Sequence, residues 1–210
     1  MYQPPHFRVE DLETQHALIR AHPLALVITH GGSGITANPL PVHLDAAASP
    51  KGTLRLHMAR ANTQWQEIRD EADLLLVFQG IDTYVTPSFY ETKTLNGKVV
   101  PTWNYAIVEV RGRAMVHEDH NWLRAQIGAL TDAHETPRQK PWAVGDAPDD
   151  YIAQQIRGIV GVEIEITEIV GKWKVSQNRN LADRQGVAAG YDAEGEPQMA
   201  ALVRAFGKSE

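Results

Sequence analysis

The residues most able to do chemistry in this chain fall into four short groups. Nine His are present and no Cys, so thiolate metal sites, Cys nucleophiles and disulfide frameworks are excluded. His117 and His120 flank Glu118-Asp119 at a spacing that could pair on a metal, but the reading adopted is a solvated strand end with no metal. His57 ends a strand-like run and leads into Met58-Ala59-Arg60-Ala61-Asn62, where a charged Arg and a capping Asn suit either a phosphate at a helix start or ordinary capping. Gly171-Lys172-Trp173-Lys174-Val175-Ser176-Gln177-Asn178-Arg179 collects cations and amides that suit a phosphate, a flavin edge or plain solvent. Pro101-Thr102-Trp103-Asn104-Tyr105 offers two aromatic faces and an amide, the chemistry a flat heteroaromatic ligand wants, or simply a packed strand entry. Gly-x-Ser-x-Gly, His-Glu-x-x-His and Gly-x-Gly-x-x-Gly do not occur, and Gly31-Gly32-Ser33-Gly34 lacks the Lys-Ser/Thr ending of a phosphate loop.

These groups must be positioned by a scaffold, and 210 residues with 43% hydrophobic and 22% charged side chains fit one ordinary globular domain. The net charge of −6 gives no support for binding nucleic acid phosphates or anionic membrane, and no clear helix-turn-helix is present. The N-terminus does not read as a signal peptide and no apolar run approaches a spanning length, so the expectation is a cytoplasmic protein off the membrane.

Along the chain, residues 1–8 read as extended. Asp11 caps a helix that His22-Pro23 stops. Leu24 to Thr29 reads as a strand, residues 31–34 as a hairpin turn, and Ile35 to Leu44 as the returning strand. Pro39 and Pro41 cannot donate to a ladder, so that strand should be an edge or face a ligand at that end. Asp45 to Gly52 is a turn, and Thr53 to Met58 a half-buried strand. Asn62 caps a helix over Thr63–Arg69. Leu74 to Phe78 and Ile81 to Thr86 read as two strands, and Ser88 to Val100 as a mobile excursion with a turn at Asn96-Gly97. A long strand covers 103–116, with Gly112 for a bulge or bend. Asn121–Ala133 is a helix with Trp122, Ile127 and Leu130 inward, 134–147 a polar loop, and Asp149–Gly158 a second helix. Val160–Ile169 alternates cleanly as a strand, Lys172–Val175 is a short last strand, 178–196 is polar and Gly-rich, and Pro197–Phe206 is helical. The sum is seven or eight strands in a closed or nearly closed antiparallel barrel with peripheral helices, an α+β chain that is mainly β.

Taken together, Met1-Tyr2-x-Pro-x-x-Phe7, Ala59-Arg60-Ala61-Asn62-x-Gln64-Trp65, Tyr84-Val85-x-Pro87-Ser88-x-Tyr90, Val100-Pro101-Thr102-Trp103-Asn104-Tyr105, Ile159-Val160-Gly161-Val162-Glu163-Ile164 and Lys174-Val175-Ser176-Gln177-Asn178-Arg179 resemble the PaiB family, the FMN-binding negative transcriptional regulators. The resemblance runs over nearly the whole chain in order, with Thr63 where Pro is expected. It implies a single antiparallel FMN-binding split β-barrel over 1–210, related to pyridoxamine phosphate oxidase, with helical additions at about 120–158 and a C-terminal helix at about 197–207. It implies a homodimer with two FMN sites at the subunit interface, and a role in repressing genes for sporulation and secreted proteases in some bacteria. The alternative it carries is a flavin- or haem-dependent oxidoreductase of the same fold without direct DNA binding.

Carried onto this sequence, FMN would lie against Thr36-Ala37-Asn38 and Leu40-Pro41, with His57-Met58 and Asn62-Thr63-Gln64 near its ribityl chain and phosphate. Trp103-Asn104 and Ser176-Gln177 would approach from the partner subunit or the far strand. The oxidases place Arg and Lys on the phosphate at positions matching Thr63 and Gln64. Those charges are missing here, so Arg60, Lys172, Lys174 or Arg179 would replace them. No catalytic residue is fixed, and His57 and Tyr105 are the candidates for proton transfer.

Overall fold

Strand alternation decides which side chains can share a wall in this protein, and seven strands carry most of it. The computed structural model describes residues 1–32, 34–68 and 73–207. The strands are β1 (Arg8–Val9), β2 (Leu24–Gly31), β3 (Gly34–Asp45), β4 (Thr53–Ala59), β5 (Asp73–Val85), β6 (Thr102–His117) and β7 (Ile159–Lys174). The helices are α1 (Leu12–Ala21), α2 (Gln64–Ile68), α3 (Glu91–Asn96), α4 (His120–Glu135), α5 (Asp149–Arg157), α6 (Leu181–Ala193) and α7 (Pro197–Ala205). The hydrogen-bonded order is β1-β7-β4-β3-β2-β5-β6, and β6 also pairs with β7, so the order closes on itself. The chain forms two compact units. The first holds Met1–Asp11, Gln79–Val108 and Val170–Glu210, and the second Leu12–Phe78 and Glu109–Ile169.

In the second unit, β2 and β3 form the hairpin expected at residues 31–34, with the ladder running from Leu24↔Pro41 to Gly31↔Gly34; Ser33 itself lies outside the described residues. β4 pairs with β3 only from Val42 to Asp45, so among the described residues the Gly34–Pro41 part of β3 has a ladder on one side alone. The Val42 N–H donates to the Pro23 carbonyl, and alternation then points the nitrogens of Pro39 and Pro41 away from β2. The two prolines sit where no donor is needed, which is the edge their spacing predicts. Leu54, Leu56, Met58, Leu74, Leu76, Phe78, Val160, Val162 and Ile164 are buried as the core of this unit. Gly112 lies where a Cβ would meet the Glu165 carbonyl oxygen at 2.4 Å, so the residue serves a close approach of β6 to β7. The Asn62 side chain accepts from Gln64 N at 3.1 Å at the start of α2; the expected Arg69 end of that helix lies outside the described residues. α4 and α5 pack through Leu123, Ile152 and Ile156, with Trp122 laid over Gly161. The inward face of α4 is Leu123 and Gln126, with Trp122 and Ile127 only partly buried, so the expected Trp122, Ile127, Leu130 face is rotated.

In the first unit, β1 pairs with the end of β7 through Arg8↔Lys172 and Val9↔Gly171. Trp173, Val175, Val187, Tyr191, Met199 and Val203 are among its buried apolar side chains.

Five further expectations are corrected. Residues 5–7 form a 3-10 turn that buries Phe7, so the N-terminal stretch is not wholly extended. Leu74–Phe78 and Ile81–Thr86 belong to one strand, because Gly80 stays within the ladder without turning it. Val160–Ile169 and Lys172–Val175 likewise merge into β7. The 88–100 excursion contains α3, and Gly97 at φ 68° is its left-handed C-terminal cap, so the chain turns at Asn96-Gly97 as the end of a helix. Residues 181–193 form α6. Its Gly186 and Gly190, one turn apart, admit Phe89: a Cβ on Gly186 would meet the Phe89 carbonyl oxygen at 2.1 Å, and one on Gly190 the ring at 2.4 Å.

Candidate functional site

The site residues expected from the sequence divide between the two units. In the second, Thr36 and Asn38 are half-buried on β3, and Asn38 Nδ2 donates to Gln64 Oε1 at 3.0 Å. Gln64 is buried, and its Nε2 donates to the Val27 carbonyl at 3.0 Å and to Thr29 Oγ1 at 3.3 Å. Thr29 Oγ1 in turn donates to Glu67 at 2.7 Å. This network ties the β2–β3 hairpin to α2 and brings Asn38, Asn62 and Gln64 together, while Thr63 stands exposed just ahead of the helix. Met58 is 2% exposed and its side chain belongs to the core. His57, one position back, faces the other way, and its Nδ1 donates to Gln126 Oε1 on α4 at 2.8 Å. The Arg60 guanidinium donates to Glu118 at 2.7 Å and to the carbonyls of Arg157 and Ile159, each at 3.2 Å. A phosphate reaching Arg60 would have to displace Glu118.

His117 is not solvated as expected. It is half-buried and stacks on Trp122 with centroids 4.1 Å apart and planes 6° from parallel. Its Nε2 is buried with no hydrogen-bond partner, and burial lowers its pKa from the ordinary value.

In the first unit, alternation along β6 separates the Trp103-Asn104-Tyr105 cluster. Asn104 is fully buried on one face; Trp103 is 53% exposed and meets exposed Tyr84 edge to face at 5.9 Å on the other. Tyr105 shares the outer side, with Lys172 Nζ 5.2 Å and Lys174 Nζ 6.0 Å from its ring centroid. Two aromatic faces and the amide therefore cannot wall one pocket, because neighbouring residues of a strand point to opposite faces.

Asn104 Nδ2 donates to Ser176 Oγ at 3.0 Å. Ser176 has φ 69°, the one described non-glycine residue with positive φ. Gln177 closes on its own backbone: Oε1 accepts from Val175 N at 2.7 Å, and Nε2 donates to the Trp173 carbonyl at 2.5 Å. Its amide holds the turn that aims Ser176. Lys174 Nζ donates to Thr102 Oγ1 at 2.6 Å and to the Trp103 carbonyl. Burial, with Lys172 and Arg179 nearby, lowers the Lys174 pKa. The Arg179 guanidinium lies over the Tyr90 ring at 4.5 Å.

Tyr90, Asn104, Lys174, Ser176 and Arg179, with the Val100–Thr102 segment and Asn178, line a cavity of about 120 Å³. A larger cavity of about 450 Å³ lies between α6 and α7 and is lined by none of the expected residues. Tyr90 was not singled out from the sequence as a site residue. It is 2% exposed, its hydroxyl has no hydrogen-bond partner, and burial raises its pKa against an opposing pull from Arg179. It is held there because buried Asp183 on α6 accepts from the Thr92 N–H at 2.8 Å and hydroxyl at 2.9 Å, capping the helix that Tyr90 begins. Among the described residues no group of three or more His, Asp or Glu is placed to hold a metal ion, and no helix is long and apolar enough to cross a membrane.

Comparison with known proteins adds four likenesses. Residues 1–168 match a family model described as a putative FMN-binding domain. An uncharacterized protein of Emericella nidulans is 36% identical over 83% of this chain and 84% of its own length. The protease synthase and sporulation protein PAI 2 of Bacillus subtilis is 28% identical over 97% of this chain and 96% of its own. Among solved structures, the flavocytochrome Anf3 from Azotobacter vinelandii matches with TM-score 0.57 and 18% identity, covering 80% of this chain and 69% of that one. The fold is the antiparallel split barrel of α+β class, and FMN is the main cofactor to which the family points.

Proposed function

The chain belongs to this FMN-binding domain family and is PaiB-like, and from that premise we propose that it works as a cytoplasmic FMN-binding homodimer with a negative regulatory role. The observation that carries the proposal is the half-open β3 strand. Over Gly34–Pro41 its outer edge has no strand partner among the described residues, yet it keeps the N–H groups of Ile35 and Ala37 and the carbonyls beside Pro39 and Pro41. A flavin ring edge needs such donors and acceptors, and a β-strand edge offers them at fixed spacing. These groups, with Thr36, Asn38, Asn62 and Thr63, offer donors and acceptors that the ring and ribityl chain of FMN would take, and Gln64 supports them from behind. When bound, FMN supplies one- or two-electron transfer. The residues of this chain orient it: Gln64 fixes the hairpin against α2, and Asn38 is held by Gln64.

The homodimer reading rests on the other side of the same hairpin. Leu24 opposite Pro41, Leu26 opposite Pro39, and Ile35 present an apolar face, with Leu24 62% and Ile35 77% exposed. Contiguous exposed apolar surface of this kind marks an interface, and a second copy is the occupant the family implies. The acidic chain, at net −6, favours regulation through a small ligand or a protein partner over direct DNA contact. The visible spectrum of the protein as isolated or after FMN addition, taken with its mass in solution, tests this reading. Flavin bands on a species of twice the chain mass are expected. A colourless monomer that stays colourless with excess FMN sinks it.

A further inference from the structure

We propose that the cavity of the first unit lined by Tyr90, Asn104, Lys174, Ser176 and Arg179 binds the phosphate group of a small-molecule ligand. The chain as a whole is acidic, yet the end of β7 and the turn after it gather Lys172, Lys174 and Arg179. Among the described residues no carboxylate lies within ion-pair distance of any of the three. Burial disfavours the Lys174 ammonium, and the neighbouring charges of Lys172 and Arg179 add to that. A bound dianion relieves that repulsion, and a phosphate ester at neutral pH carries about −1.5 to −2 charges.

The donors are in place. Lys174 has three N–H bonds and spends two on Thr102 Oγ1 and the Trp103 carbonyl, leaving one for a ligand. The Tyr90 hydroxyl is buried without a partner, a costly condition that a phosphate oxygen removes. Arg179 is packed over the Tyr90 ring, so the guanidinium is held beside that hydroxyl's own side chain. Ser176 is kept in the left-handed region by the Gln177 clamp and by its bond to Asn104, the kind of strained residue that gathers at ligand clamps.

Size selects the group. At about 120 Å³ the cavity falls well below the roughly 300–1,000 Å³ of pockets for drug-sized ligands, so it takes a phosphate and not a three-ring system. Asn104, Lys174, Ser176 and Arg179 therefore meet an anionic group. The phosphate has two sources, that of FMN itself or that of a separate ligand, and the proposal stands without the flavin reading.

Titration calorimetry of the full chain with inorganic phosphate, at ionic strength held constant with chloride, tests it. Saturable binding at one phosphate per chain is expected. Lys174→Met should weaken it at least ten-fold and Tyr90→Phe by roughly ten-fold, the loss expected for one hydrogen bond to a charged group. Circular dichroism checks that the variants fold, and Arg179→Gln replaces any that does not. Titration with FMN and riboflavin identifies the source. If phosphate competes with FMN and not with riboflavin, the cavity holds the flavin phosphate; if phosphate binds beside FMN or when neither flavin binds, it holds a separate ligand; both support the site. No saturable phosphate binding, or equal affinity in wild type and variants, overturns it.

Discussion

Asn104 Nδ2 donates to Ser176 Oγ at 3.0 Å, and neither side chain is more than 3% exposed. The bond joins the start of β6 to the turn after β7 and fixes the one described non-glycine residue held at positive φ. Asn104→Leu removes the partner of a buried hydroxyl while leaving the strained backbone in place. Urea denaturation should show a loss of about 1–3 kcal/mol. A change within experimental error would mean that the pair contributes nothing.

Glycines on two helices should respond oppositely to alanine. On α6, Gly186→Ala drives a Cβ against the Phe89 carbonyl, which is backbone and cannot swing aside, so a loss of about 1–3 kcal/mol is expected. On α4, Gly128 has nothing within 4 Å of its Cβ position, and Gly128→Ala should gain about 0.5–1 kcal/mol. Thermal melts of both variants read the two signs; a shared sign contradicts the packing described.

Stability should fall on mild acidification. Burial depresses the pKa of His117 and of His43 below 6.5 in the fold, so the unfolded chain binds more protons as pH drops through that range. The stabilisation is complete above pH about 6.5 and is lost as pH falls toward the lower folded values. His117→Phe keeps an aromatic ring on Trp122 and removes the titrating group, and its denaturation midpoint should change less between pH 7.5 and 5.5 than that of the wild type. An identical slope would remove His117 from the account.

The apolar face of the β2–β3 hairpin should carry the subunit contact. Leu26→Glu puts a charge at its centre, opposite Pro39, on a side chain already 39% exposed. Sedimentation should show a shift from two chains to one with secondary structure unchanged. A variant that remains dimeric moves the interface to another surface.

What the sequence revealed of this fold was set by how local each signal was. The ends of α1 and the start of α2 are legible because Asp11, His22-Pro23 and Asn62 act within a turn of themselves. The open edge of β3 is legible because Pro39 and Pro41 remove donors whatever surrounds them. α6 is not legible, since Gly186 and Gly190 look like breakers until Phe89 is seen against them. The candidate site shows the same division. Asn104, Lys174, Ser176 and Arg179 line one cavity, whereas Trp103 and Tyr105 lie on the opposite face of β6 because alternation outweighs adjacency. Tyr90 carries no site signal of its own in the sequence, because the helix start that holds it is capped by Asp183, distant in sequence.

The central claim is flavin binding, and titration of purified protein with FMN, followed by flavin fluorescence, tests it most directly. The account predicts saturable quenching with one FMN per chain. Fluorescence equal to that of free FMN, with an unshifted absorption spectrum at saturating concentration, would contradict it.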